Sequence, residues 1–199
     1  MKRIIFTVAL LFVLHHTNAQ NDSALLNDIN RFQQGLLNEY SDPKHSPIKP
    51  GSKEKFKGIH FFPADLRYVV KAKFVRTKDA KVFEMPTSGT EKRLYVKYAE
   101  AVFTLLGKDC KLSIYQSVDL AKNREYRDYL FIPFRDATSG KETYGGGRYI
   151  DLTIPYGETI LINFNKAYHP YCAYTEGYNC PIPPKENSLP LKIEAGVRF

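Results

Sequence analysis

Leu66-Arg67-Tyr68-Val69-Val70-Lys71-Ala72-Lys73-Phe74-Val75-Arg76 alternates with a period of two. Leu66, Tyr68, Val70, Ala72 and Phe74 share one phase, and Arg67, Val69, Lys71, Lys73 and Val75 share the other. Successive side chains of a strand point to opposite faces, so the stretch reads as a half-buried strand with a cationic outer face. Upstream the period changes. Leu25, Leu26, Ile29, Phe32, Leu36 and Leu37 recur at helical spacing over residues 22–40, with Asp22 or Ser23 as cap and Ser41-Asp42-Pro43 as stop. A polar connector rich in Pro and Lys covers 41–57, and a β domain covers 58–199.

Residues 93–106 read as a long strand whose apolar phase slips near Ala99-Glu100-Ala101, the mark of a β-bulge or a bend. Thr87-Ser88-Gly89-Thr90 and Gly107-Lys108-Asp109 are turns. Further strands are expected at 111–118, 129–134, 148–154, 159–164 and 189–195. Short strands separated by Gly and Pro turns predict a mainly β fold, a single antiparallel β-sandwich or barrel with an N-terminal helix. Helix–strand alternation is missing, which disfavours a doubly wound parallel sheet.

The chain begins with a different pattern. Lys2 and Arg3 precede an apolar run from Ile4 to Leu14, and the chain then reaches small residues at Ala19. A basic start, a short apolar run and a small residue at the cut describe a signal peptide over residues 1–19, cleaved after about Ala19. The run is too short to span a bilayer, which takes roughly 20 apolar residues. No transmembrane segment is expected, and the mature protein is expected to be secreted or periplasmic.

With 199 residues there is room for one domain, and 43% hydrophobic against 25% charged residues excludes a disordered chain. The net charge is +8, unevenly placed: residues 44–97 hold 14 basic and 5 acidic side chains. Such an excess is either a set of solvated faces or an attraction to an anionic surface. Nucleic acid is not an expected partner, because export removes it and no binding motif is present. Dinucleotide, phosphate-loop, zinc-protease and serine-elbow motifs are absent, so no cofactor is expected.

Two stretches do not read as scaffold. Phe131 to Tyr149 contains Arg135, Asp136, Glu142, Arg148 and the triplet Gly145-Gly146-Gly147. Asn163 to Asn187 contains Cys172 and Cys180, and seven of the 14 tyrosines fall between Tyr144 and Tyr178. Long connections in a compact domain carry function or disorder, and tyrosines supply large contact area at low entropic cost. Arg135 and Arg148 present rigid forks suited to carboxylate or phosphate, unless Asp136 and Glu142 lock them into a structural network. The pair Asp136 and Glu142 also fits general acid/base chemistry. Cys172 and Cys180, eight apart in an exported chain, favour a disulfide. Two alternatives stay open: a metal site with His169, and Cys172 as a nucleophile with His169 as base. Cys110 reads as an unpaired bystander.

Several motifs resemble an uncharacterised bacterial family, domain of unknown function 1684. They are Phe61-Phe62-Pro63-Ala64-Asp65, Pro133-Phe134-Arg135-Asp136-Ala137-Thr138-Ser139-Gly140, Glu142-Thr143-Tyr144 and Gly147-Arg148-Tyr149. Asn163-Phe164-Asn165-Lys166-Ala167-Tyr168, Pro170-Tyr171-Cys172-Ala173-Tyr174, and Cys180-Pro181 with Pro184, Glu186 and Asn187 complete the set. The resemblance spans about residues 35–196 and implies no activity. It departs at His169, where Asn is common in the family pattern, and that departure weakens the metal and cysteine–histidine readings.

The motifs coincide with the two unusual stretches, which suggests one shared site. Its candidate ligand-binding residues are Arg135, Asp136, Thr138, Ser139, Glu142, Tyr144, Arg148, Asn163, Asn165, Tyr168, Tyr171, Glu186 and Asn187. Three readings stand: a small binding module for an anionic or carbohydrate ligand, a hydrolase using Asp136 with Glu142 or using Cys172, and a structural envelope protein. Whether the protein is an enzyme and its oligomeric state are left open.

Overall fold

The alternation over 66–76 becomes a strand only from Val69. Leu66–Tyr68 form a 3-10 turn, because the Asp65 side chain accepts the Arg67 N–H at 2.9 Å and caps it. The computed structural model describes the backbone of residues 2–199 and the side chains of residues 20–199. The export segment expected over 1–19 lies outside the residues whose side chains are described. Among the described residues, no helix is long and apolar enough to cross a membrane.

In chain order the elements are α1 (Lys2–Ser41), β1 (His60–Phe61), β2 (Val69–Arg76), β3 (Val82–Met85) and β4 (Arg93–Leu105). They continue with β5 (Lys108–Ser117), β6 (Tyr129–Phe134), β7 (Arg148–Thr153), β8 (Thr159–Asn163) and β9 (Val197–Arg198). The protein is mainly β, with one antiparallel sheet in the order β7-β6-β5-β4-β2-β8 curled into a half-barrel. The short β3 pairs with β4, and β1 with β9 forms a separate two-stranded ribbon.

The concave face holds the main core. Leu112, Ile114, Leu130, Ile132 and Phe134 are completely buried there with Ile162 and Phe164. Each such side chain contributes about 1.5–3 kcal/mol by leaving water. β6 is buried on both faces, since Phe131 points the other way into an aromatic layer with Tyr95, Tyr115, Tyr149 and Met85. That second layer covers the convex side of β5, β6 and β7. In β4 the register shifts between Lys97 and Ala99, so the bulge sits a little earlier than the apolar slip suggests.

α1 runs across one end of the half-barrel. Ile29 is fully buried, Phe32 meets Tyr168 at 6.4 Å, and Tyr40 packs with Ile48, Ile59 and Val197. Lys166 reaches Asp28 at 3.1 Å. The helix stops at Ser41 because Asp42 turns its carboxylate back to the N–H groups of Lys44 and His45, and Pro43 cannot continue the ladder.

The strand expected at 189–195 is corrected. Leu189, Leu191, Ile193 and Ala195 alternate and are all buried, as a strand would have them, but this segment joins no ladder. It fills the open side of the half-barrel. Leu189 N–H donates to Arg135 O at 2.8 Å and Ala137 N–H donates to Leu191 O at 2.8 Å. Beyond that point, side chains take the place of a neighbouring strand.

Candidate functional site

Arg148 begins β7 with its guanidinium fully out of solvent. One terminal nitrogen donates to Ala195 O; the other donates to Ile193 O at 2.8 Å and to the Asp136 carboxylate at 3.1 Å. Asp136 in turn accepts the Ile193 N–H at 2.7 Å and the Thr138 hydroxyl at 2.9 Å. A buried charge must be paired and hydrogen-bonded, and here the pair also satisfies the backbone of the C-terminal segment. Burial lowers the Arg148 pKa, and Asp136 works against that shift.

Two amides do the same work elsewhere. The Asn187 side chain accepts Ser113 N–H at 2.7 Å and donates to Ser113 O and Pro133 O, both at 2.8 Å. Asn165 accepts Asp65 N–H and donates to Asp65 O, both at 2.9 Å, and also donates to Asn163 Oδ1. Each amide imitates the donor–acceptor pair of a strand residue. Thr138 is held against Thr143 at 2.9 Å, Ser139 accepts Asp136 N–H, and Glu186 accepts the Tyr115 hydroxyl at 2.9 Å. These residues fasten the fold together.

Arg135 is half-buried and donates to Gly145 O and Pro183 O, both at 3.2 Å. It therefore ties the glycine loop to the cysteine-bearing stretch. Gly147 makes that approach feasible: its φ is +94°, and a Cβ there would stand 2.5 Å from Phe134 O and 2.8 Å from Pro183 Cγ. Glu142 is half-buried: one carboxylate oxygen pairs with Lys192 at 2.6 Å, which lowers its pKa, and the other is buried without a partner among the described residues. Asp136 and Glu142 thus form no joint acid/base site: one is locked beneath Arg148 and the other is paired with Lys192. Cys172 and Cys180 are joined in a disulfide, so neither thiol serves as nucleophile or metal ligand, while Cys110 is free and buried. His169 is buried, accepts the Tyr144 N–H on Nε2 at 3.1 Å and donates from Nδ1 to the Tyr174 hydroxyl at 2.9 Å. Burial and the nearby Arg148 charge lower its pKa to about 3, so it stays neutral.

The two stretches do converge. Tyr149 and Tyr168 exchange backbone hydrogen bonds at 2.9 and 3.0 Å, and the Tyr149 hydroxyl donates to Pro181 O. Around this junction lies a half-open recess of about 350 Å³. Four tyrosines line it, Tyr149, Tyr168, Tyr171 and Tyr178, with Arg93 and Asn179 as its polar groups and the Cys180-Pro181 backbone as a wall. The tyrosine hydroxyls are anchored elsewhere: Tyr168 donates to Asp151 at 2.9 Å, Tyr171 to Glu39 at 2.6 Å and Tyr178 to Pro47 O at 3.0 Å. Burial raises the pKa of Tyr149, Tyr168 and Tyr171, and the neighbouring carboxylates add to the rise for Tyr168 and Tyr171. All three stay protonated donors.

Of the sequence candidates, the recess takes Tyr168 and Tyr171. Arg93 at the start of β4 was not among them, nor were Tyr149, Tyr178 and Asn179. Tyrosine density pointed to this region, but no local pattern marks Arg93, which sits beside Glu91 like many exposed strand-end pairs.

A solution structure of an uncharacterized protein from Haloarcula marismortui is similar to this chain, with a TM-score of 0.70 and 29% identity over 90% of this chain and 97% of that one. No curated protein matches the chain. A family model described as a protein of unknown function, DUF1684, matches residues 54–198. That span takes in β1 to β9, the Arg148–Asp136 lock and the recess except for its contacts with α1 and the connector, and the chain belongs to the DUF1684 family.

Proposed function

We propose that this protein is an exported binding module that holds a small ligand bearing an anionic group in the tyrosine-lined recess. The observation that carries the reading is the recess itself. At about 350 Å³ it falls in the size range of small-ligand pockets, roughly 300–1,000 Å³, and it has aromatic walls with few polar groups. Arg93 is half-exposed and only loosely opposed by Glu91 at 3.6 Å, which leaves a guanidinium for carboxylate or phosphate. Asn179 uses its carbonyl on the Glu91 N–H at 3.2 Å, so its amide NH₂ remains as a second donor. The walls are well fixed, which lowers the entropic cost of binding.

Export is supported by the Lys2-Arg3 start, the apolar run to Leu14, and a disulfide, a bond that persists in oxidising compartments. The hydrolase reading loses its residues to the pairings described above. The test is a thermal-shift screen of the oxidised protein against sugars, sugar acids, carboxylates and phosphates. Anionic compounds are expected to raise the melting temperature, and Arg93→Gln is expected to abolish the rise. A shift that survives Arg93→Gln unchanged would reject this site.

A further inference from the structure

We infer that the ligand of the recess is a zwitterion whose positive end is a methylated ammonium, with its carboxylate or phosphate at Arg93. The inference rests on the binding-module reading and concerns the other end of the same ligand. Four tyrosines line the space, and their rings meet in one edge-to-face pair, Tyr149 with Tyr168 at 5.8 Å and 89°, and one tilted pair, Tyr171 with Tyr178 at 5.0 Å and 54°. The hydroxyls of Tyr168, Tyr171 and Tyr178 are tied to Asp151, Glu39 and Pro47 O, so their rings and not their hydroxyls are what a ligand meets. Ring faces attract cations through the aromatic quadrupole, and quaternary ammonium groups are held by such boxes.

Charge placement agrees. The Tyr168 hydroxyl donates to the Asp151 carboxylate and the Tyr171 hydroxyl to the Glu39 carboxylate, so two negative charges stand behind the rings. A hydrogen bond from a phenol to a carboxylate pushes electron density into the ring. Glu91 stands 3.6 Å from Arg93, a third carboxylate near the recess. The protein already uses the same attraction nearby: Lys49 Nζ stands 4.7 Å from the Tyr178 ring centre. A trimethylammonium group also has no N–H to satisfy, which suits walls that offer few acceptors. The backbone carbonyls of Tyr168, Pro170, Tyr171, Cys180 and Pro181 are each engaged within the protein.

The experiment titrates the oxidised full chain with tetramethylammonium, with acetate and inorganic phosphate, and with glycine betaine and phosphocholine, followed by calorimetry. Glucuronate serves as an anion without a cation. The zwitterions should bind roughly tenfold tighter than either half alone. Arg93→Gln should weaken phosphocholine and leave tetramethylammonium unchanged. Glu39→Gln, which keeps the Tyr171 ring in place, should weaken both by several-fold and leave acetate unaffected. If glucuronate or phosphate binds as tightly as the zwitterions, the ammonium inference is wrong and the binding module survives. If none of these probes binds, both fall. Cosedimentation with phosphatidylcholine vesicles would assign the chemistry to a lipid headgroup; binding of soluble betaine without cosedimentation would assign it to a free solute.

Discussion

Arg148 and Asp136 form an ion pair at 3.1 Å with both side chains wholly shielded from water, and together they hydrogen-bond the backbone of Ile193 and Ala195. The pair therefore stands in for the missing edge of a strand. Removing one partner leaves an uncompensated charge in the interior, which costs about 3–5 kcal/mol. Asp136→Ala is expected to lose that much in urea denaturation. A loss below about 1 kcal/mol would show that water or a shifted backbone takes over.

The Asn187 amide makes three hydrogen bonds to the backbone of Ser113 and Pro133 in a site with no solvent access. Asn187→Ala should cost about 1–3 kcal/mol, since buried partners are left unsatisfied. Asn187→Asp should cost more, because it replaces donors by acceptors facing carbonyl oxygens. Equal stability of the two variants would contradict the strand-imitation role.

His169 has a folded-state pKa of about 3 against an ordinary 6.5, owing to burial and then to the Arg148 charge. Between those values the unfolded chain binds a proton that the native state refuses. Stability is therefore full above pH 6.5 and falls as the pH drops toward 3, by up to about 1.4 kcal/mol per pH unit. Replacing His169 with Asn should flatten that slope in a comparison of denaturation at pH 4 and pH 7. An unaltered slope would place the acid sensitivity in other groups.

The disulfide joins two walls that hang from different parts of the fold. Tyr171 is anchored to α1 through Glu39, while the other wall hangs on the segment after β3: Ser88 N–H donates to Cys180 O at 2.9 Å and Ile182 N–H donates to Pro86 O at 2.7 Å. Closing a loop of this length stabilises by about 2–3 kcal/mol. Reduction should lower stability by that amount and loosen the recess without unfolding the sheet. Thiol titration of the denatured, unreduced protein should find one thiol, Cys110, among the three cysteines. Three thiols would refute the bridge.

Strands and helix were legible because their signals are local. The alternation through Val70, Ala72 and Phe74 and the spacing of Ile29, Phe32 and Leu36 depend on neighbours a few residues away. The same alternation misled at 189–195, where burial follows the period but hydrogen bonding does not. Periodicity reports which side chains go inside; it does not report what the backbone pairs with. The β3 and β1–β9 pairings are too short to leave such a signal.

The chain's own order of residues determined the two periods, the break at Ser41-Asp42-Pro43 and the two stretches that differ from scaffold. Which of their polar groups would be buried, and against what, was decided only in three dimensions. Arg135 and Arg148 look alike in one dimension, yet one bridges two loops near the surface and the other lies at the centre of the lock. Arg93 reaches the recess from a strand more than 50 residues before Tyr149. A side chain's hydrogen-bond partners and dielectric surroundings come from segments that folding alone brings near, so no window along the chain contains them.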